Sequence, residues 1–148
     1  MLKRGLLIIS TTICLFFIGF IVKEAVYQPQ LAKNIKLEES KGDFIVHITV
    51  EKTNDGFQIL RSLEYTGDKK IEISHRSPLI EVMIGKNTPE FTGSPVPIQL
   101  TPGTHYHPEE PLAFQHMDKG SHDIFVHAQF ETMEETIDIL TKGTIDIQ

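Results

Sequence analysis

Two imidazoles flank one phenol at His105-Tyr106-His107, and side chains two apart on an extended segment point the same way. Imidazole is a borderline donor that suits zinc or copper, so His105 and His107 are the best local pair for a surface metal. His116, His122 or His127 could add a third imidazole after folding, and Glu109, Glu110 or Asp118 an oxygen. Two ligands alone do not make a site. Seven histidines in 148 residues equally suit an exposed β surface, where some cap turns and some are solvated. His47 and His127 lie beside apolar neighbours in strand-like runs, which fits hydrogen-bonded strand histidines better than ligands. No cofactor is expected, and a blue-copper site needs a thiolate that the chain after Val22 lacks, because Cys14 is the one cysteine.

Other reactive residue types are present without the spacing a reaction needs. His75 lies near Ser74, Ser77 and Asp68, but neither serine sits in a Gly-x-Ser-x-Gly elbow. Glu109-Glu110 and Glu134-Glu135 fall in polar, turn-like stretches, where solvation keeps carboxylates ordinary. There is no glycine-rich phosphate loop. These residues therefore point away from catalysis. Recognition is better served by the segment from Lys86 to Pro111, which holds six of the eight prolines together with Phe91 and Tyr106. Prolines reduce the entropy lost on binding and aromatics anchor partners, so Phe91 and Tyr106 are the candidate partner-binding residues.

The elements that position these residues begin with a membrane segment. Gly5 to Val22 carries no charge and follows Lys3 and Arg4. About 18 residues at 1.5 Å each give roughly 27 Å, close to the hydrocarbon thickness of a bilayer. The positive flank places residues 1–4 in the cytoplasm and the remainder outside. The competing readings are a cleaved signal peptide, whose apolar core is shorter, and a lipoprotein on Cys14, where Ile13 replaces the small residue expected before it. Residues 5–22 are thus expected to form a single-pass anchor in the cell membrane, with 23–43 as a polar stalk.

The chain has a formal net charge of −6, and two of its cations precede the apolar run, so the remainder is more acidic still. That excludes nucleic acid and anionic lipid surfaces as natural partners of the outer part. From Phe44 onward, short alternating runs are separated by turn residues. Phe44–Glu51 and Phe57–Tyr65 flank Asn54-Asp55-Gly56, a hairpin signal. Lys70–His75, Leu79–Ile84 and His122–Phe130 alternate likewise, the last as a central strand. Thr136–Leu140 and Thr144–Ile147 are expected as two strands about a Lys142-Gly143 turn, and the proline-rich segment as loop or edge strand. Helical periodicity is absent. Some seven strands over 44–148 imply an all-β antiparallel sandwich.

The series Glu64-Tyr65-Thr66-Gly67-Asp68, Leu100-Thr101-Pro102-Gly103 and Lys119-Gly120-Ser121-His122-Asp123-Ile124 resembles bacterial immunoglobulin-like domains, in particular the Bacillus intracellular proteinase inhibitor fold. His122 stands where that pattern has tyrosine. The resemblance implies an immunoglobulin-like sandwich over 44–148, and protease inhibition as an alternative function. The leading expectation is an extracytoplasmic binding module, held to the lipid bilayer, whose partner is an envelope protein or component.

Overall fold

The computed structural model describes residues 30–148, and the expected tail, anchor and first part of the stalk lie outside them. Ten strands follow in order: β1 Ile35–Lys41, β2 Phe44–Thr53, β3 Gly56–Tyr65, β4 Ile71–Ser77, β5 Ile80–Ile84, β6 Thr92–Leu100, β7 His105–Tyr106, β8 Leu112–Phe114, β9 Gly120–Glu131 and β10 Thr136–Ile147. Among the described residues no helix is long and apolar enough to cross a membrane.

The strands form two antiparallel sheets. One runs β1-β2-β3, with β7 and β8 one after the other along the far edge of β3, β7 at Leu63–Glu64 and β8 at Phe57–Ile59. The other runs β10-β9-β4-β6, with β5 also on β9. Alternation dictates the layers: Phe44, Val46, Ile48 and Val50 of β2 and Phe57, Ile59 and Leu63 of β3 face Ile124, Val126, Ala128 and Phe130 of β9 in one core. Each chain crossing between sheets, β3 to β4, β6 to β7 and β8 to β9, puts a fresh hydrophobic face over that core. The sequence reading of β2, β3, β4, β5 and β9 is matched, and β9 is central, with β10 on one side and β4 and β5 on the other.

Three expectations are corrected. Residues 31–41 are not stalk: Leu31 is fully buried and bridges Ile147, and β1 pairs with β2 from Ile35↔Val50 to Lys41↔Phe44. Only Ile35 and Leu37 of β1 pack on the core, so an edge strand here reads as a polar linker. Lys142-Gly143 is not a turn, because β10 runs unbroken, with Lys142 opposite Phe125 and Gly143 opposite Ile124. The proline-rich segment is not one loop. It supplies β6, the edge strand that the sequence allowed, and the short β7, which lies on the other sheet.

One side of the sandwich is closed and the other open. On the closed side β1 lies against β10, with the Ala32 amide donating to the Asp146 carbonyl at 2.8 Å. On the open side β6 is mostly exposed and carries Pro95 and Pro97, two positions that bring no N–H to a further strand.

Candidate functional site

The register of the first sheet assembles a row of carboxylates and imidazoles on its outer face. In β2, Phe44, Val46, Ile48 and Val50 take the core side, so His47 must point out. Leu63 and Tyr65 of β3 are buried, which leaves Glu64 outside. Glu64 stands opposite His105 of β7, and Glu38 of β1 opposite His47. The order across the four strands is Glu38, His47, Glu64, His105.

These side chains touch. His47 Nε2 is 2.7 Å from Glu64 Oε2, and His47 Nδ1 is 3.1 Å from Glu38 Oε1. His105 Nε2 lies 3.7 Å from the other oxygen of Glu64. The His47 and His105 rings are 5.7 Å apart, tilted by 37°. His47, Glu64 and His105 each offer a donor atom within 4.8 Å of the other two. Side chains of His47 and Glu64 are 23% and 22% exposed and His105 is 52% exposed, so solvent reaches the cluster from the His105 side.

His105 therefore meets two groups that the local sequence did not pair with it, while His107 lies beyond the cluster. His107 is exposed and lines shallow grooves with Leu60 and Arg61, one of them shared with His47. His127 bonds Asp138 Oδ1 at 2.8 Å, and His122 bonds the Asp118 carbonyl at 2.7 Å; both lie on the second sheet. His47, read from sequence as an ordinary strand histidine, is hydrogen-bonded as expected and is also the centre of the row. Only the pairing of β2 with β1 and β3 exposes that second property.

The two candidate partner aromatics are both engaged internally. Tyr106 opposes Leu63 and turns toward the core, where its hydroxyl is 3.1 Å from His75 Nε2. His75 Nδ1 donates to the Arg76 carbonyl at 2.7 Å, and in the neutral ring Nε2 then accepts from the Tyr106 hydroxyl. Burial first, then the nearby Glu109 carboxylate, push the Tyr106 phenol above its ordinary value. Phe91 stands edge-on to the His127 ring at 5.0 Å. His75 is thus tied to Tyr106 and a backbone carbonyl rather than to a serine.

A second polar cluster lies between the sheets. Arg61 breaks the apolar phase of β3 yet is 7% exposed. Its guanidinium donates to the Ile80 carbonyl at 3.0 Å and the Glu110 carbonyl at 2.8 Å. Glu109 accepts from the Leu79 amide. Burial pushes the Glu109 carboxyl above the usual carboxylate range, against the opposing pull of the Leu79 amide, Arg61 and His75. The expectation that Glu109 is an ordinary solvated acid is corrected, because it is buried against the Leu79 amide that bonds it. Desolvation likewise lowers the Arg61 value, with Glu109 and Glu81 opposing. This cluster joins β3, the β4–β5 connection and the segment before β8, and so ties the two sheets together.

A cleft of about 430 Å³ lies at one end of the sandwich between the β1–β2 turn and the β9–β10 hairpin. Lys41, Asp43, Phe44, Lys70, Glu134 and Ile137 line it, with Met133 of the hairpin tip 94% exposed. No family model and no curated protein matches this chain.

Proposed function

We propose that the chain is a membrane-anchored module whose immunoglobulin-like sandwich acts outside the cytoplasm by binding an envelope protein or other envelope component, without catalysing a reaction. The observation that carries this reading is the pairing of Gln30 with Gln148, whose amides and carbonyls exchange hydrogen bonds of 3.4 and 2.9 Å. Gln30 follows the apolar run of the sequence closely, so the pole holding both residues faces the bilayer if that run is an anchor. From there the 12 residues of β10 lead, at about 3.4 Å each, roughly 40 Å outward. The opposite pole carries the 430 Å³ cleft and Met133. An exposed methionine beside a cleft with an apolar floor suits a protein contact. The immunoglobulin-like reading is supported by strand order, with β3 between β2 and β7/β8 and with β9 between β10 and β4/β5.

The test uses the full chain with Cys14→Ser and Met133→Cys. A membrane-impermeant maleimide should label the new thiol on intact cells; labelling only after lysis would place the sandwich in the cytoplasm and end the proposal. In detergent extracts of the envelope, the full chain should capture a partner that Met133→Asp releases. Capture of the same partner by both chains would exclude the distal cleft as the contact.

A further inference from the structure

We infer that His47, Glu64 and His105 form a binding site for a divalent transition-metal ion of the zinc class, with Glu38 orienting His47 from behind. The inference is independent of the membrane reading, since it rests on the register of four adjacent strands.

Two imidazoles and one carboxylate make up a common three-ligand set for zinc, with a fourth position open to water. At zinc–ligand distances of about 2.0–2.2 Å, a tetrahedral arrangement puts donor atoms roughly 3.3 Å apart. The shortest gap here is 2.7 Å, between His47 Nε2 and Glu64 Oε2, and all donors lie within 4.8 Å of one another. Rotating the Glu64 carboxylate and the His105 ring spans that difference without moving the strands. The strands themselves fix the Cβ positions, because β2, β3 and β7 are hydrogen-bonded neighbours.

The back side of His47 is already prepared. A ligating histidine almost always donates its second ring N–H to a carboxylate, carbonyl or water. His47 Nδ1 lies 3.1 Å from Glu38 Oε1, which directs Nε2 at Glu64 and His105. A dication bound at Nε2 leaves the Nδ1 contact with Glu38 intact. Without a metal the same residues would form a simple hydrogen-bonded ladder, and the two accounts differ in what they require of His105. The ladder holds His105, 52% exposed, by a 3.7 Å contact to Glu64 and a ring contact to His47, whereas a metal makes it a ligand equal to His47.

The experiment titrates the full chain in detergent with Zn²⁺ by calorimetry, and with Co²⁺ followed by its visible absorption. One ion per chain should bind, with cobalt bands of an imidazole and carboxylate site. His47→Ala, Glu64→Gln and His105→Ala should each weaken zinc at least tenfold, and Glu38→Gln by roughly 10- to 100-fold. His107→Ala should leave affinity unchanged. Circular dichroism of each variant separates loss of ligand from loss of fold, and His105→Ala, the most exposed of the three, provides the decisive arm. No binding at tenfold excess metal, or binding that survives both His47→Ala and His105→Ala, overturns the assignment. Loss in His107→Ala with retention in His47→Ala would overturn it in favour of the pair adjacent in sequence.

Discussion

Leu37 of β1 lies directly over Gly143 of β10: a Cβ built on Gly143 would stand 2.7 Å from Leu37 Cδ1 and 2.9 Å from Cδ2. The backbone of Gly143 has no unusual φ, so the glycine is there for space. It lets an edge strand of one sheet settle on an edge strand of the other and closes that side of the sandwich. Gly143→Ala should lower stability by about 1–3 kcal/mol, the usual range for overpacking. In a double-mutant cycle with Leu37→Ala, much of that loss should disappear. Additive effects in urea unfolding would show that the contact does not limit packing.

Gly67 offers a stricter comparison. A Cβ there would lie 2.2 Å from the Tyr65 hydroxyl, which donates to the Lys69 carbonyl at 2.7 Å. The aromatic ring cannot rotate aside as a leucine tip can, and its ring packs on Phe44 at 5.2 Å. Gly67→Ala should therefore destabilise more than Gly143→Ala, and Tyr65→Phe with Gly67→Ala should recover only part of the loss. Equal melting temperatures for the two alanine variants would refute this ordering.

Arg61→Ala removes two charge-assisted bonds to the carbonyls of Ile80 and Glu110 and takes from Glu109 a positive charge that opposes its upward shift. A loss of about 2–3 kcal/mol follows from hydrogen bonds to charged groups. Arg61→Lys should restore little, since an ammonium lacks the planar fork that reaches both carbonyls. Full rescue by lysine in denaturant unfolding would show that charge alone is needed.

Glu109 gives stability a pH dependence of unusual sign for a carboxylate. Its pKa is raised in the folded state, chiefly by burial, so the folded chain binds this proton more tightly than the unfolded one. The contribution is fully present below the ordinary carboxylate value near 4.5 and is lost as pH rises through the raised folded value. Glu109→Gln keeps a carbonyl for the Leu79 amide and should flatten the stability profile over that window. A variant whose profile parallels the parent's there would disprove the assignment.

Asp138 has the opposite sign. The His127 ring at 2.8 Å and the Gln129 amide at 2.9 Å hold its carboxyl below the ordinary value of 3.8. Its contribution is present above that value and falls away as pH drops through the lowered one. Asp138→Asn should lower the melting temperature at pH 7, with the difference from the parent shrinking in strong acid. A difference that stays constant down to unfolding would count against the His127 bond.

The sandwich was legible wherever a strand alternates over its own length. Phe44 to Val50 and Ile124 to Phe130 announce their buried faces because every second residue is apolar. Legibility failed where the cause is a neighbour far along the chain. Gly143 reads as a turn until Leu37 is seen above it. Ile35 and Leu37 are too few to mark β1 as a strand, since an edge strand needs little apolar surface on its inner side. Arg61 interrupts the apolar alternation of β3 because it caps carbonyls of two distant segments, which the local sequence does not show. The histidine row shows the same limit: His105 was visible as a donor, yet its neighbours come from β2 and β3, and only register brings His47 and Glu64 to it.

The distribution of proline has a consequence for crowded copies. Where two copies meet side-on, an unpaired strand edge would let them zip into ribbons. The closed flank offers no such edge, because β1 and β10 cover each other there. On the other flank, Pro95, Pro97, Pro108 and Pro111 interrupt the run of donors from β6 to the approach of β8. Prolines read from sequence as part of a recognition loop thus also leave that edge short of donors for the strand of a second copy.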